Sequence, residues 1–400
     1  MKLLQINTTL NAGSTGRISE QIGNLAINNG WESYIIHGPR YINKSNLKCI
    51  KTINSIQEKI HIVKSMLFDA HGLSSVNATK NIINKIKTIN PDIIHLHNIH
   101  GYFINYKILF EYLQHIKTPI VWTLHDCWSM TGHCAHFDSI GCDKWKKECF
   151  ECPLINKYPK SLFIDRSKQN YRLKKELFTS VSNLTIVPVS KWLSSIVNES
   201  FLNKYPIHVI NNGIDTNIFT PQETNLKNKL AISNETILLG VSNAWSNNKG
   251  LKEFIELSKD SQYKVILVGI SKELRKTLPS SIICIEKTHN QQELAEYYSL
   301  ADILINPTYN DTFPTINMES MSCGTPVISY NTGGSPESIT SKTGIIVERG
   351  NLEKLKIAIE EIKIKGKSFY SNECRKHAVD NFNQYNRFND YMNLYNELIK

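Results

Sequence analysis

The sequence predicts an α/β protein made of two doubly wound, Rossmann-like domains facing each other across a cleft. Short runs rich in Ile, Val and Leu alternate with longer amphipathic segments, the pattern of parallel strands covered by helices on both faces. The alternation is interrupted at 127–160 and again at 211–235, and the second interruption reads as a hinge between two halves. With 41% hydrophobic and 20% charged residues, 19 Gly and 13 Pro, the composition is that of a globular chain rather than a disordered, collagenous or coiled-coil one. Four hundred residues bury a large core without disulfide help.

Strands are expected at 2–6, 34–36, 92–96, 120–124, 184–188, 207–210, 236–241, 264–268, 282–285, 303–305 and 326–329. Helices are expected between them at 16–29, 55–68, 78–89, 104–116, 165–180, 190–199, 249–259, 290–300, 315–322, 335–340 and 351–364. The first domain is then 1–212, carrying a cysteine-rich insertion at 127–160, and the second is 213–377. Aromatics at Phe382, Tyr385, Phe388, Tyr391 and Tyr395 have helical spacing, so 378–400 is expected to form a C-terminal helix that packs back on the first domain.

The 46 Lys+Arg against 36 Asp+Glu give a net charge of +10, which favours acidic partners. No block of five or six consecutive basic residues occurs, nor a helix-turn-helix or aromatic RNA-binding pattern, so a nucleic acid is not the expected partner. The apolar run in MKLLQINTTLNAGSTG ends within six residues and reads as a first strand rather than an export signal. With nine cysteines, an odd number, and no stretch of 18 apolar residues, a cytoplasmic location with reduced or metal-bound thiols is expected. The basic helix DRSKQNYRLKKELFTS at 165–180 offers Arg166, Lys168, Arg172, Lys174 and Lys175 to an anionic membrane surface, which would make the protein peripheral on the inner face of the cytoplasmic membrane.

The densest chemical signal is ILINPTYNDTFPTINMESMSCGTPVISYNTGGSPES, from Ile303 to Ser338. A strand ends near Pro307, a loop presents Asp311, a helix starts near Pro314 or Thr315, and Glu319 lies on that helix. Both carboxylates are expected at the carboxyl ends of the strands, where open α/β sheets bind ligands, and the amides and dipole at Thr315 and Ile316 suit a phosphate. Upstream, GVSNAWSNNKGLKEF places Lys249 at the start of a helix, where its ammonium can reach a pyrophosphate as a point charge.

This stretch resembles the acid-x7-acid signature of family 4 retaining glycosyltransferases, with the following G-T-P-V-I and G-G-x-x-E segments, and the resemblance extends over nearly the whole chain. The family usually places Glu where this chain has Asp311 and Gly where it has Thr312, and it usually carries an arginine five or six residues before the lysine, where Asn243 and Ala244 stand here. The resemblance implies a GT-B-like fold and transfer of a sugar from a UDP- or GDP-linked donor to a hydroxyl of a lipid-linked glycan, in the assembly of a bacterial surface polysaccharide. It implies that His125 and Asp311 position the donor sugar, that Glu319 accepts hydrogen bonds from the ribose, and that Lys249 bears the leaving-group charge. Ser242, Asn243, Thr312, Phe313, Pro314, Thr315 and Ile316 complete the expected donor site, and no cofactor is required for the transfer. The alternative is a sugar-nucleotide epimerase of the same two-domain architecture, which would form product without an acceptor.

In the first domain, NAGSTGR follows the first strand, and Gly13 and Gly16 there permit close backbone approach to a phosphate or sugar. HLHNIHGYF at 95–103 and TLHDC at 123–127 follow later strands and gather imidazoles at the same edge of the sheet. By the resemblance, His97, Asn98 and His100 belong to the acceptor side. The segment GHCAHFDSIGCDKWKKECFECP aligns Cys134, Cys142, Cys149 and Cys152, which fit a structural zinc, reduced buried thiols or disulfides.

Overall fold

The computed structural model describes all 400 residues. By its internal contacts the chain divides into two units, one comprising Met1–Asn211 with Arg387–Lys400 and the other Asn212–Asn386.

Unit 1 has a six-stranded, fully parallel sheet of β1 (Lys2–Asn7), β2 (Glu32–His37), β3 (Lys48–Lys51), β4 (Ile93–Leu96), β5 (Ile120–Leu124) and β6 (Leu184–Pro188), in the order β3-β2-β1-β4-β5-β6. Its helices are α1 (Gly13–Asn28), α2 (Ser55–Phe68), α3 (Val76–Ile89), α4 (Tyr106–Leu113), α5 (Ser167–Phe178) and α6 (Lys191–Glu199). Strands β4, β5 and β6 are buried along their whole length, as expected of a parallel sheet covered on both faces. The strand order reverses between β1 and β4, so the loops leaving these two strands diverge and open a crevice.

Unit 2 repeats the plan. Strands β7 (Thr236–Val241), β8 (Tyr263–Val268), β9 (Ile283–Ile285), β10 (Ile303–Asn306), β11 (Val327–Tyr330) and β12 (Gly344–Val347) pair in parallel in the order β12-β11-β10-β7-β8-β9. The helices are α7 (Leu226–Lys229), α8 (Leu251–Leu257), α9 (Lys272–Arg275), α10 (Gln291–Leu300), α11 (Thr315–Ser322), α12 (Leu352–Lys365) and α13 (Lys367–Phe382). Here the switch point lies between β7 and β10.

The last helix, α14 (Gln384–Ile399), belongs to unit 1 from Arg387 onward. Phe388, Tyr391, Met392, Leu394 and Tyr395 are buried in a cluster with Leu3, Ile18, Ile22 and Ile93, each large side chain contributing about 1.5–3 kcal/mol. Residues 378–386 stay with unit 2, where Ile214 N–H donates to Phe382 O and the Phe382 ring meets Phe313.

Several elements differ from the sequence reading. The edge strands β3 and β12 were not expected, because four residues at a half-exposed margin carry too short a pattern. The segment 207–210 makes only an isolated bridge, Ile186 to Ile207, beside β6. Residues 335–340 form a 3₁₀ turn at Ser335–Ser338 rather than a helix.

The basic face expected on α5 is largely spent within unit 1. Lys174 is buried, donating to Trp128 O at 2.7 Å and Thr131 O at 3.0 Å with its ammonium 3.5 Å from the centre of the Trp128 ring. Arg172 and Lys168 both pair with Glu148. Leu177 and Phe178 face the core.

Candidate active site

Two loops at the switch point of unit 2 are tied together by their backbones. Tyr309 N–H donates to Asn248 O at 2.9 Å, and Thr308 Oγ1 reaches the same carbonyl at 3.4 Å. Gly250 makes this approach feasible. Its φ is +72°, and a Cβ there would stand 2.3 Å from Pro307 Cγ. The result is that Lys249 Nζ lies 2.9 Å from Asp311 Oδ2, with Thr308 Oγ1 at 3.4 Å.

Helix α11 begins immediately after this loop with Pro314 as N-cap and no side-chain cap, so the first-turn amides of Thr315 and Ile316 stay uncapped by side chains at the positive end of the helix dipole. Thr312, Phe313 and Pro314 are buried, so Phe313 supplies core packing and offers only its backbone to a ligand. Asn212 Nδ2 donates to Phe313 O and fixes that turn. Ser242 closes a small turn with the backbone of Ala244, and Asn243 is exposed beside it.

Glu319 stands apart from the Lys249–Asp311 pair in its environment. It is buried on α11 and accepts a 2.8 Å hydrogen bond from Tyr298 of α10. One turn into the helix, its carboxylate is tied to the neighbouring helix by this bond. Sequence reasoning missed Thr308, Tyr298 and Glu253. The last is a buried carboxylate held by Tyr309 OH at 2.6 Å and Tyr330 OH at 3.4 Å. Each is an ordinary polar residue until the fold supplies its partner.

In unit 1, a single pocket is lined by His97, Asn98, His100, His125, Asp126 and Trp128, among others. His97 is buried, with Nε2 3.0 Å from Gln5 Oε1 and Nδ1 3.3 Å from His125 Nε2. Gln5 Nε2 donates to Ser19 O, which leaves Oε1 as an acceptor for His97 Nε2–H. His97 Nδ1 then accepts from His125 Nε2–H, and the assigned tautomer makes His125 Nδ1 an acceptor as well. Burial keeps this column neutral. It lowers His125 to about 4 and His95 and His97 well below the usual value, with neighbouring imidazoles adding to the effect on the last two.

Behind them, His95 Nε2 bonds Thr123 Oγ1 at 2.7 Å, and Tyr395 OH donates to its Nδ1 at 2.6 Å. Asp126 turns to His100, whose Nε2 lies 2.9 Å away, and accepts from Trp128 N–H. Burial alone would raise this carboxyl, but the His100 charge and hydrogen bond hold it below the usual carboxylate range. His100 Nδ1 also meets Tyr158 OH at 3.1 Å. Asn98 N–H donates to Asn7 Oδ1, joining the loops after β1 and β4. Gly13 is exposed at φ +66°, whereas Gly16 is buried and gives its space to Thr9, whose Oγ1 would lie 2.6 Å from a Cβ there.

Cys134, Cys142, Cys149 and Cys152 line one small pocket with Phe137 and Trp145, and all nine thiols are free. Cys134 and Cys152 hydrogen-bond to each other, which lowers Cys152 to about 7 and raises Cys134. No group of three or more His, Cys, Asp or Glu side chains is arranged to hold an ion. The segment is fastened by Lys174 and by Asp69, which meets His133 Nδ1 at 2.7 Å and accepts from Arg166 N–H. No helix is long and apolar enough to cross a membrane.

Comparison with known proteins places the chain in a family. Residues 29–218 match the family model Glycosyltransferase Family 4, and residues 222–378 match Glycosyl transferases group 1. The Escherichia coli (strain K12) protein WcaC, whose name assigns it to colanic acid biosynthesis as a glycosyl transferase, is 26% identical over the full length of both chains. Among solved structures, a sucrose-phosphate synthase from Thermosynechococcus elongatus superposes with a TM-score of 0.74 at 15% identity, covering 100% of this chain and 99% of that one. Anabaena HepE in complex with UDP gives 0.68 at 15% identity, covering 99% and 100%. Two Rossmann-like units of this order are the GT-B fold, and with both family models matched the chain belongs to the family 4 glycosyltransferases.

Proposed function

We propose that the protein transfers a glycosyl unit from a nucleoside diphosphate sugar to a hydroxyl of a lipid-linked glycan, with retention at the anomeric carbon, in the assembly of a bacterial surface polysaccharide. The observation that carries this reading is the Lys249–Asp311 pair at the switch point of unit 2. A diphosphate is a better partner for the ammonium than one carboxylate, so donor binding exchanges the pair. Lys249 and the amides of Thr315 and Ile316 take the phosphates, and Asp311 is released to accept hydrogen bonds from sugar hydroxyls. Glu319, oriented by Tyr298, is assigned to the ribose.

In the transfer, the bond from the anomeric carbon to the phosphate oxygen breaks and a bond to the acceptor oxygen forms on the same face. The acceptor's proton goes to the departing phosphate oxygen, so no enzyme nucleophile is needed. Stabilisation of the leaving diphosphate is the chief contribution of the protein, and removing one such donor typically costs about 10²–10³ in rate. Neutral His125, held through His97 and Gln5, is assigned to the donor sugar, and Asn98 and His100 to the acceptor, with His97 as a positioning residue.

The colanic acid biosynthesis assigned to WcaC by its name supports the polysaccharide setting, and the UDP bound to HepE supports a nucleotide donor. Relatives named as glycosyl transferases disfavour the epimerase alternative. The test is thermal stabilisation by a panel of UDP- and GDP-sugars, followed by transfer assays with the stabilising donor. A donor turned over only when an acceptor is present is expected; turnover without acceptor, or no response to any nucleotide sugar, would overturn the reading.

A further inference from the structure

Helix α2 is amphipathic in the inverted sense. Its buried residues are Glu58, His61 and Ser65, while Ile56, Ile60, Val63 and Phe68 are exposed, Ile56 at 69%. The spacing 56, 60, 63 is one helical stripe, turned outward. The loop that follows Tyr158 enlarges the patch. Leu162 N–H donates to Met66 O at 2.8 Å, docking Leu162, Phe163 and Ile164 beside the end of α2, with Phe163 80% exposed. An apolar stripe of this size on a helix, continued by an exposed Leu-Phe-Ile run, marks an interaction surface.

The charges around it specify the occupant. The exposed charged residues of α2 are Lys59 and Lys64, which flank the stripe, and Lys157 and Lys160 are exposed ahead of the loop. Of the nearby acids, Glu58 is buried against Arg40 at 2.7 Å, and Asp165, exposed at the end of the loop, is engaged by Cys152 N–H and Ser167 N–H. An apolar face edged by long cationic side chains matches the interface of an anionic bilayer, where the stripe enters the acyl boundary and the ammoniums stay with the headgroups.

We propose that α2 and Leu162–Ile164 form the surface by which the protein lies on an anionic lipid bilayer, in place of α5. The polar side of the same helix leads to the acceptor pocket of unit 1. His61 meets the Tyr102 ring edge-on at 5.8 Å, Tyr102 packs on Tyr158 at 6.0 Å, and Tyr158 OH donates to His100 O at 2.9 Å. A glycan anchored in the bilayer therefore arrives at the side of unit 1 that holds the acceptor histidines, a point that rests on the proposed reaction.

The full-length protein is tested by flotation with phosphatidylcholine vesicles prepared with and without phosphatidylglycerol. Binding to the anionic vesicles, weakened by added salt, is expected. The Ile60→Gln/Phe163→Gln variant should bind them at least about tenfold less, and Lys59→Glu/Lys64→Glu should lose the preference for phosphatidylglycerol. Unchanged melting temperatures show that these variants fold, and none of the four residues belongs to the reaction site. Failure of the wild type to float, equal binding by the variants, or a dimer that the Ile60→Gln/Phe163→Gln change dissociates in light scattering would each overturn the proposal. Flotation is blind to catalysis, so a protein that floats yet ignores every nucleotide sugar would defeat the proposed reaction and leave this surface standing.

Discussion

Lys249 and Asp311 lie 62 positions apart in the chain and 2.9 Å apart in space. Their pairing follows from the doubly wound order, which places β7 and β10 side by side and so brings the loop after each to the same crevice. Both side chains are partly exposed, so the pair contributes within about 1 kcal/mol to stability. Replacing Lys249 by Ala should leave the melting temperature nearly unchanged while lowering the transfer rate by about 10²–10³. Steady-state kinetics beside a thermal melt checks this; near-normal turnover would remove Lys249 from its assigned role.

Gly250 is the residue that lets those loops meet. Gly250→Ala forces a side chain into a left-handed conformation and against Pro307, 2.3 Å from the ring carbon. Strain of about 1–3 kcal/mol is expected, with a fall in activity because the backbone carrying Lys249 must move. A variant with wild-type stability and rate would show that the close approach is dispensable.

The C-terminal helix bonds the histidine column directly through the Tyr395 hydroxyl. Tyr395 is fully buried and donates to His95 Nδ1, so Tyr395→Phe leaves a buried acceptor unsatisfied. A loss of about 1–3 kcal/mol is expected in denaturant unfolding. No loss would mean that water replaces the hydroxyl.

The pH dependence of stability has a definite sign. Burial lowers His61 and His125 from 6.5 to about 4, whereas the unfolded chain takes up protons on these rings below 6.5. Their neutral forms favour folding fully above pH 6.5, and that contribution is lost as pH falls to about 4, at about 1.4 kcal/mol per pH unit for each ring. Melting temperatures recorded across this window should fall steadily; a flat profile would show that these rings are protonated in the folded protein.

Much of the architecture could be read directly from residue patterns. Helices α2 and α11 lie at the bounds expected of them, α11 from its Pro314 start and the Gly324 that follows it, and the buried strands of both sheets announce themselves as apolar runs. The edge strand β3 could not be read in the same way, because its Lys-Cys-Ile-Lys run at an exposed margin carries no continuous apolar signal.

The amino-acid order alone determined the doubly wound units and the loop chemistry from Asp311 to Ile316, since both are local: strand, turn and helix start lie within a few residues of one another. Only the tertiary structure decided that Tyr395, 300 residues away, completes His95, that Lys174 is buried beneath Trp128, and that the apolar side of α2 faces outward. A periodic pattern says that a helix has an apolar stripe, but what covers that stripe depends on contacts between distant segments, which exist only once the chain has packed.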